Sequence, residues 1–269
     1  MSLKLHTHAE PAISLQQFVD WIEANIDFRE PESLRTAAQP LRALAQNPHF
    51  LGDWMLQAHL QQGDQFQAGN FYNYQSLVLR VTPDYLLRAN FWQPENAVSK
   101  LSHHERLAFG YGIPHNHNFH LLTVGYCGSG YLTDHWRWSD PWTDRAIGET
   151  VDLQYIARER LATGDVMLYR AFEDVHSQIA PETLSVSLNL MTHTQRDTVP
   201  QYMFCEAART VTGLVGSPLD SRLHLAELAR ALLPEHAEWH LQNVAATDPS
   251  PRMRRLAEDA LGRRFIGWR

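Results

Sequence analysis

The hydrophobic period of this chain changes twice, and no other feature of the sequence limits its fold more strongly. The first 65 residues carry a helical pattern, in which Ser14 and Gln17 form a capping box before Phe18, Ile22 and Ile26 on one face. From about residue 71 to residue 193 the period becomes two, and after about residue 216 the helical pattern returns. We therefore expect a β domain between two helical segments.

The middle segment predicts a closed or double-layered sheet. Four short runs rich in β-forming residues cover 76–81, 86–92, 120–124 and 184–190. Turn residues such as Gly125, Gly128 and Gly164 separate the runs. Many short strands at regular spacing are typical of a sandwich or barrel. The expected organisation is a helical segment over 1–68, a β-barrel with a metal site over 69–200 and a second helical segment over 201–269.

The composition excludes several kinds of partner. The 269 residues carry a net charge of −7, whereas nucleic acids and anionic membranes attract positive surfaces. We therefore expect no nucleic-acid or membrane partner, which leaves small molecules and proteins. The C-terminal helices are expected to pack on the barrel or at a contact between two copies of the chain. In the second case the protein would be a homodimer.

The sequence also predicts a cytoplasmic protein. Only Cys127 and Cys205 are present, which is too few for a disulfide scaffold. The first residues lack an apolar signal core, and no run of 18 apolar residues occurs.

Three histidines have the spacing of metal ligands. His115 and His117 alternate along an extended segment, so their imidazoles point the same way and can bind one cation. A Gly-Asp turn at 164–165 precedes another strand and then His176, and a barrel brings such inward positions together. His120 has the opposite parity, and it becomes a fourth ligand only if the strand bends at 118–119; otherwise a hydrogen bond beyond the ligands is expected. His135 lies in a Trp-rich segment and is expected at the rim.

These residues resemble the two motifs of the cupin superfamily, over roughly residues 70–195. The first motif is matched by Gly112, His115, His117 and Gly128, and the second by Gly164, Asp165, His176 and Asn189. The position of the family's acidic ligand holds Leu121 or Leu122 instead. The resemblance implies a mainly β fold, a cupin-type jelly-roll β-barrel flanked by N-terminal and C-terminal α-helices.

The missing carboxylate makes the chain similar to the three-histidine cupins, of which the thiol dioxygenases, including cysteine dioxygenase, bind Fe(II). In the strand 185–191 Ser187 keeps that family's Ser, whereas Asn189 and Met191 replace a His and a Tyr. Gln75 lies where the family carries an Arg or Gln that holds the substrate carboxylate, and Arg80 and Arg88 are nearby cationic candidates.

The resemblance implies a mononuclear non-haem Fe(II) dioxygenase that acts with O2 on a small molecule such as a thiol acid or an amino-acid derivative. Catalytic roles are expected for Tyr169, Ser187 and Asn189, and substrate contacts for Gln75, Arg88 and Tyr126. Two alternatives stay open. Zn, Ni or Mn at the same site would suit an isomerase, lyase or hydrolase, and a barrel without turnover would be a metal-containing sensor or binding module.

Overall fold

The computed structural model describes residues 4–68, 70, 75–100, 109–141, 143, 145–192, 200–215, 228, 234–249 and 251–262. The helices are α1 (Leu15–Asn25), α2 (Pro31–Thr36), α3 (Ala38–Ala45), α4 (Phe50–Gln62), α5 (Glu95–Val98), α6 (Pro234–Thr247) and α7 (Pro251–Gly262). The strands are β1 (Lys4–Leu5), β2 (Ser76–Val81), β3 (Tyr85–Trp92), β4 (His120–Cys127), β5 (Leu132–Trp138), β6 (Leu153–Arg160), β7 (Val166–Tyr169), β8 (Asp174–Ile179), β9 (Ser185–Thr192), β10 (Gln201–Cys205) and β11 (Thr210–Val215).

Helix α1 begins where the sequence predicts it. The Ser14 side chain accepts a hydrogen bond from the Gln17 backbone N–H, and the Gln17 side chain accepts one from the Ser14 backbone N–H. This reciprocal pair satisfies two N–H groups that a helix start leaves without partners. Phe18 and Ile22 are fully buried against the sheet, as their spacing predicts. Helices α6 and α7 lie in the segment after residue 216 where the helical pattern returns, and each begins at a proline.

The larger sheet has six strands in the order β1-β7-β4-β9-β3-β2, and every pairing in it is antiparallel. Its two faces have different partners. Leu122, Val124, Leu188 and Leu190 point toward the N-terminal helices and join their core. The alternate residues of the same strands point into the space between the two sheets, because side chains in a strand alternate between faces.

The second sheet carries the order β6-β5-β8, and β10 and β11 form an antiparallel pair beside it. The segment around His115 joins these two parts, since His115 bridges His176 of β8 on one side and Met203 of β10 on the other. Trp136 and Trp138 lie in a buried cluster with Tyr202 on this sheet, so the Trp-rich segment covers a core.

The fold class is therefore the one expected from the resemblance to cupins: a mainly β, jelly-roll-type barrel of antiparallel sheets, with α-helices before and after it in the chain. The β structure does continue past residue 200, because β10 and β11 follow that position and pair beside β8 through His115. The division into three segments with boundaries at 68 and 200 stays a prediction.

Tyr85 connects the larger sheet to α1. Its side chain is buried, and its hydroxyl donates a 2.6 Å hydrogen bond to a carboxylate oxygen of Glu23 while accepting one from Arg80. Burial, followed by the bond to Glu23, raises the pKa of Tyr85 to about 12, so the phenol stays protonated as the donor.

We expect Tyr85→Phe to lower the free energy of unfolding by about 1–2 kcal/mol, because the hydrogen bonds to Glu23 and from Arg80 are lost while the ring packing stays. Urea unfolding measures this change. Glu23→Gln is a comparison variant: its amide oxygen still accepts from Tyr85, but it loses the ion pair with Arg80. Equal free energies of unfolding for Tyr85→Phe and the wild type would contradict a contribution of the Tyr85 hydroxyl to stability.

Candidate metal centre

Three imidazoles converge between the two sheets. His115 and His176 come from neighbouring backbone segments that exchange two N–H to C=O hydrogen bonds of 2.9 Å. His117 lies two residues further on, where the chain crosses toward β4. The ring centroids lie 4.5 to 5.0 Å apart, and one ligand nitrogen from each residue lies within 4.8 Å of the other two. The predicted pairing of His115 and His117 with the distant His176 is therefore present in the structure.

Two of the rings have an orientation that a hydrogen bond fixes. Nδ1 of His115 lies 2.8 Å from the Ile113 carbonyl oxygen, which can only accept, so Nδ1 carries the hydrogen. Nδ1 of His117 lies 3.0 Å from Oε1 of Gln201 and donates to it. Each ring therefore has a lone pair on Nε2, as metal-ligating histidines usually do when the other nitrogen is hydrogen-bonded.

His176 completes the group. Its Nε2 lies 2.9 Å from Nε2 of His117, and its Nδ1 lies 3.1 Å from Nε2 of Gln178. Two imidazole nitrogens bound about 2.0–2.1 Å from one ion, at right angles to each other, would lie about 3 Å apart. The spacing of the two Nε2 atoms therefore fits two ligands of one metal ion.

Burial keeps the three rings neutral. Loss of hydration is the main cause of each shift: it lowers the pKa of His117 to about 3, lowers that of His115, and lowers that of His176 well below its usual value. The neighbouring imidazoles lower the pKa values of His117 and His176 further. Since a metal binds the unprotonated ring, protons do not compete for these nitrogens near neutral pH. The residues present therefore fit a cation with nitrogen ligands.

A cavity of about 200 Å³ opens in front of the three histidines. Its wall also contains polar side chains from β2, β3, β8 and β9. Three aromatic side chains from separate segments of the chain complete it. The other residues that line it are Gln75, Ser76, Arg88, Asn90, Trp92, Phe109, Gly110, Leu121, Tyr131, Gln178 and Asn189. No carboxylate occurs among these described lining residues.

The aromatic part of the wall is tightly packed. The rings of Trp92 and Tyr131 have centroids 4.4 Å apart, and Tyr111 stacks on Phe109 behind them at 5.6 Å. The Tyr111 hydroxyl donates to the carbonyl of Gln93. Such a wall offers an apolar surface to one side of a bound molecule.

Arg88 is a charged side chain in the cavity wall. It lies on β3 directly beside Asn189 of β9, and its charge contributes to the lowered pKa of His117. Among the described residues that line the cavity, Arg88 is a cationic side chain and none is a carboxylate.

Of the six residues predicted for catalysis and substrate binding, three reach the cavity wall: Gln75, Arg88 and Asn189. Ser187 lies behind the wall, where it accepts a 3.0 Å hydrogen bond from the Trp92 indole N–H. Tyr169 is buried with its ring 4.4 Å from that of His176 and is absent from the described lining residues. Any effect of Ser187 on a bound molecule would therefore be indirect, through Trp92, and any effect of Tyr169 would be indirect, through His176.

Tyr126 does not lie at the site. It has the same strand parity as Leu122 and Val124, so it points to the helical face, where its hydroxyl donates to the Asn47 carbonyl and its ring contacts Phe50. The structure therefore places Tyr126 on the helical face because side chains alternate along a strand, and its expected contact with substrate stays a prediction.

Two further histidines differ from the ligand group. His120 is not brought to the metal site: its Nδ1 accepts a 3.0 Å hydrogen bond from the Ala171 N–H, and among the described residues the metal-competent group contains only the three other histidines. His135 is not at the rim, because it is fully buried on β5, where it pairs with His176 on β8.

The sequence analysis missed several residues around the site. Asn90 and Trp92 share the strand face of Arg88, and Gln178 shares that of His176, so alternation alone would have found them. Gln201 gave no signal, since it contacts His117 across 84 positions of sequence.

No protein-family model matches the chain, and no curated protein matches it. Three solved structures are similar over part of it. A hydroquinone 1,2-dioxygenase in complex with Cd2+ and 4-hydroxybenzonitrile is 11% identical over 46% of this chain and 68% of its own, with a TM-score of 0.30. The hydroquinone 1,2-dioxygenase from Sphingomonas sp. TTNP3 with 4-hydroxybenzoate bound is 12% identical over 47% and 70%, with a TM-score of 0.30. The vicilin from Solanum melongena is 12% identical over 50% of this chain and 32% of its own, with a TM-score of 0.29.

The fold and the site together define a mainly β protein with antiparallel sheets, flanking helices and a three-histidine group that could hold a metal ion. Within the described part of the chain, no helix has the length and apolar character needed to cross a bilayer.

Proposed function

We propose that this protein is a mononuclear non-haem iron oxygenase of the dioxygenase type, acting on a small anionic molecule. One observation carries the proposal: three neutral imidazoles converge at the wall of a cavity whose described lining contains Arg88 and no carboxylate. Three neutral ligands leave the full charge of a dication in place and do not fill its coordination sphere. Fe(II) held in this way supplies the redox chemistry that O2 requires.

His115, His117 and His176 would hold the ion through their Nε2 atoms. The Ile113 carbonyl and the Gln201 amide oxygen keep the first two rings in the required orientation. Loss of hydration lowers the pKa of each ring, which keeps the three rings unprotonated.

The rest of the cavity would select and orient the substrate. Arg88 provides a guanidinium suited to a carboxylate, and Gln75 and Asn189 add amide groups to the same wall. Trp92 and Tyr131 would pack against the apolar part of the molecule. A volume of about 200 Å³ is below the range of about 300–1,000 Å³ that is typical of sites for drug-sized ligands, so a small acid fits best.

We expect Arg88→Met to weaken the binding of a carboxylate ligand by about 10- to 100-fold, since a hydrogen bond to a charged group contributes about 1.5–3 kcal/mol. Calorimetry with mercaptopropionate and its uncharged amide on the Zn2+-loaded protein measures this effect. Only the acid should lose affinity.

Arg80→Met is the matched control, because Arg80 pairs with Glu23 on α1 and is absent from the described cavity lining. It should bind both ligands as the wild type does. Equal weakening of the acid and the amide in Arg88→Met would contradict a role of Arg88 in charge recognition.

The proposed activity is tested by metal analysis of protein purified without added metal, followed by oxygen uptake with a panel of thiol acids, amino-acid derivatives and aromatic acids. Bound iron and uptake that depends on a substrate are the expected results. Zinc, nickel or manganese without uptake would overturn the oxygenase proposal in favour of an isomerase, lyase or hydrolase. Ligand binding without turnover would favour a sensor or binding module.

A further inference from the structure

The contact between His117 and His176 restricts how hydrogens are placed in the metal-free site. Their Nε2 atoms lie 2.9 Å apart, which is within hydrogen-bonding distance. Two lone pairs at this distance would repel, and two N–H groups would collide. One of the two rings therefore carries its hydrogen on Nε2 and the other does not.

The neighbouring amides decide which ring it is. Oε1 of Gln201 accepts from Nδ1 of His117, so His117 has a free lone pair on Nε2. Nε2 of Gln178 is the amide atom that faces Nδ1 of His176, and an amide nitrogen can only donate. His176 therefore accepts at Nδ1 and carries its hydrogen on Nε2, from which it donates to His117.

This arrangement is not the one that a metal requires. Coordination through Nε2 needs a lone pair on that atom in all three rings, and His115 and His117 already have it. His176 must move its hydrogen from Nε2 to Nδ1, with no proton gained or lost overall. Nδ1 then needs an acceptor, whereas Gln178 presents a donor.

We propose that Gln178 is a positioning residue whose side-chain amide turns by about half a rotation when the metal binds, so that Oε1 replaces Nε2 opposite His176. The inference rests on the metal centre of the proposed function. The backbone can stay in place, because Gln178 lies within β8 and its carbonyl accepts a 2.9 Å hydrogen bond from Gly112. His115 offers no such adjustment, since its partner is a backbone carbonyl.

The rotation also changes the cavity. Gln178 lines it, and the end of the amide that is not opposite His176 changes from an acceptor oxygen to a donor NH2 group. Metal loading therefore adds a donor to the wall that already contains Arg88. An anionic substrate would find this donor only in the loaded site, which couples substrate binding to the presence of the metal.

NMR of ¹⁵N-labelled full-length protein tests the proposal with Zn2+, which is diamagnetic, as the probe. In the metal-free protein we expect the hydrogen of His176 on Nε2 and those of His115 and His117 on Nδ1. After Zn2+ is added, all three should be on Nδ1, and the side-chain amide signals of Gln178 should shift more than those of Gln201. A metal-free His176 with its hydrogen already on Nδ1 would overturn the proposal.

Zn2+ affinity of two variants gives an independent measurement. A carboxylate only accepts, so Gln178→Glu sets His176 in the metal-binding tautomer before the ion arrives. Gln201→Glu adds the same charge beside a ring whose tautomer is already set, and it is the matched control. We expect Gln178→Glu to bind Zn2+ about 10-fold more tightly than Gln201→Glu, within the range of about 10–100-fold that partners of metal ligands typically contribute.

Equal affinity of the two variants would contradict the rotation. The outcome is separable from that of the proposed function. Zn2+ binding with the expected tautomer change but no oxygen uptake with any substrate would refute the oxygenase and leave this inference standing. Failure of Zn2+ to bind at all would refute both.

Discussion

Replacing His176 with alanine is expected to reduce the affinity for Zn2+ or Fe2+ by more than about 100-fold. Loss of a residue that only supports a ligand typically reduces metal affinity by about 10–100-fold, and loss of a ligand itself should have a larger effect. The reason is that two nitrogens from His115 and His117 would remain, and both come from the same short segment. The third nitrogen belongs to His176, which lies on the neighbouring strand β8. Competition with a chromogenic chelator measures the affinity.

His120→Ala is the matched control. His120 lies three residues after His117, yet it hydrogen-bonds the Ala171 N–H and is not in the ligand group of the described chain. We expect this variant to bind metal as the wild type does. If His176→Ala kept its metal, or if His120→Ala lost as much affinity as His176→Ala, the three-histidine centre would be refuted.

Acid is expected to destabilise the metal-free protein steeply. An imidazole in the unfolded chain takes up a proton near pH 6.5, whereas burial lowers the pKa of His117 to about 3 in the native state and also lowers those of His115 and His176. Below about pH 6.5 the unfolded chain therefore binds more protons. The stability is fully present above that pH and is lost as the pH falls toward the native pKa values.

His117, whose native pKa is about 3, contributes a slope of about 1.4 kcal/mol per pH unit, and His115 and His176 act in the same direction. His117→Ala should therefore reduce the slope by about 1.4 kcal/mol per pH unit between about pH 6 and about pH 4. Urea unfolding at a series of pH values, with a chelator present, measures it. Leu188→Ala removes a buried side chain without a titratable group and should keep the wild-type slope. An unchanged slope in His117→Ala would contradict the buried neutral site.

Local patterns predicted the elements of the fold well. The capping box at Ser14 begins a helix because its two hydrogen bonds involve residues only three positions apart. The runs of alternating residues are strands because one strand face is buried whatever its partner is. The same alternation would have placed Tyr126 on the helical face, whereas the sequence analysis expected it to contact the substrate.

The ligand histidines were also predictable, although their partners were only partly so. His115 and His117 are neighbours, and the Gly-Asp turn before His176 marks a second matching segment. Gln178 follows from the parity of His176, whereas Gln201 lies on a strand past the expected end of the barrel. Contacts across 84 residues depend on how strands pair, and no local pattern contains that information.

The sequence by itself determined which segments become helices and strands and which three histidines share a site. It also showed that no acidic residue occupies the position of the family's acidic ligand. These properties depend on neighbours within a few residues. Only the tertiary structure decided that Arg88, Asn189 and Trp92 form one cavity wall, that His120 turns away from it, and that two glutamines orient the imidazoles. These relations are set by strand order and register, which bring together residues that are distant in the chain.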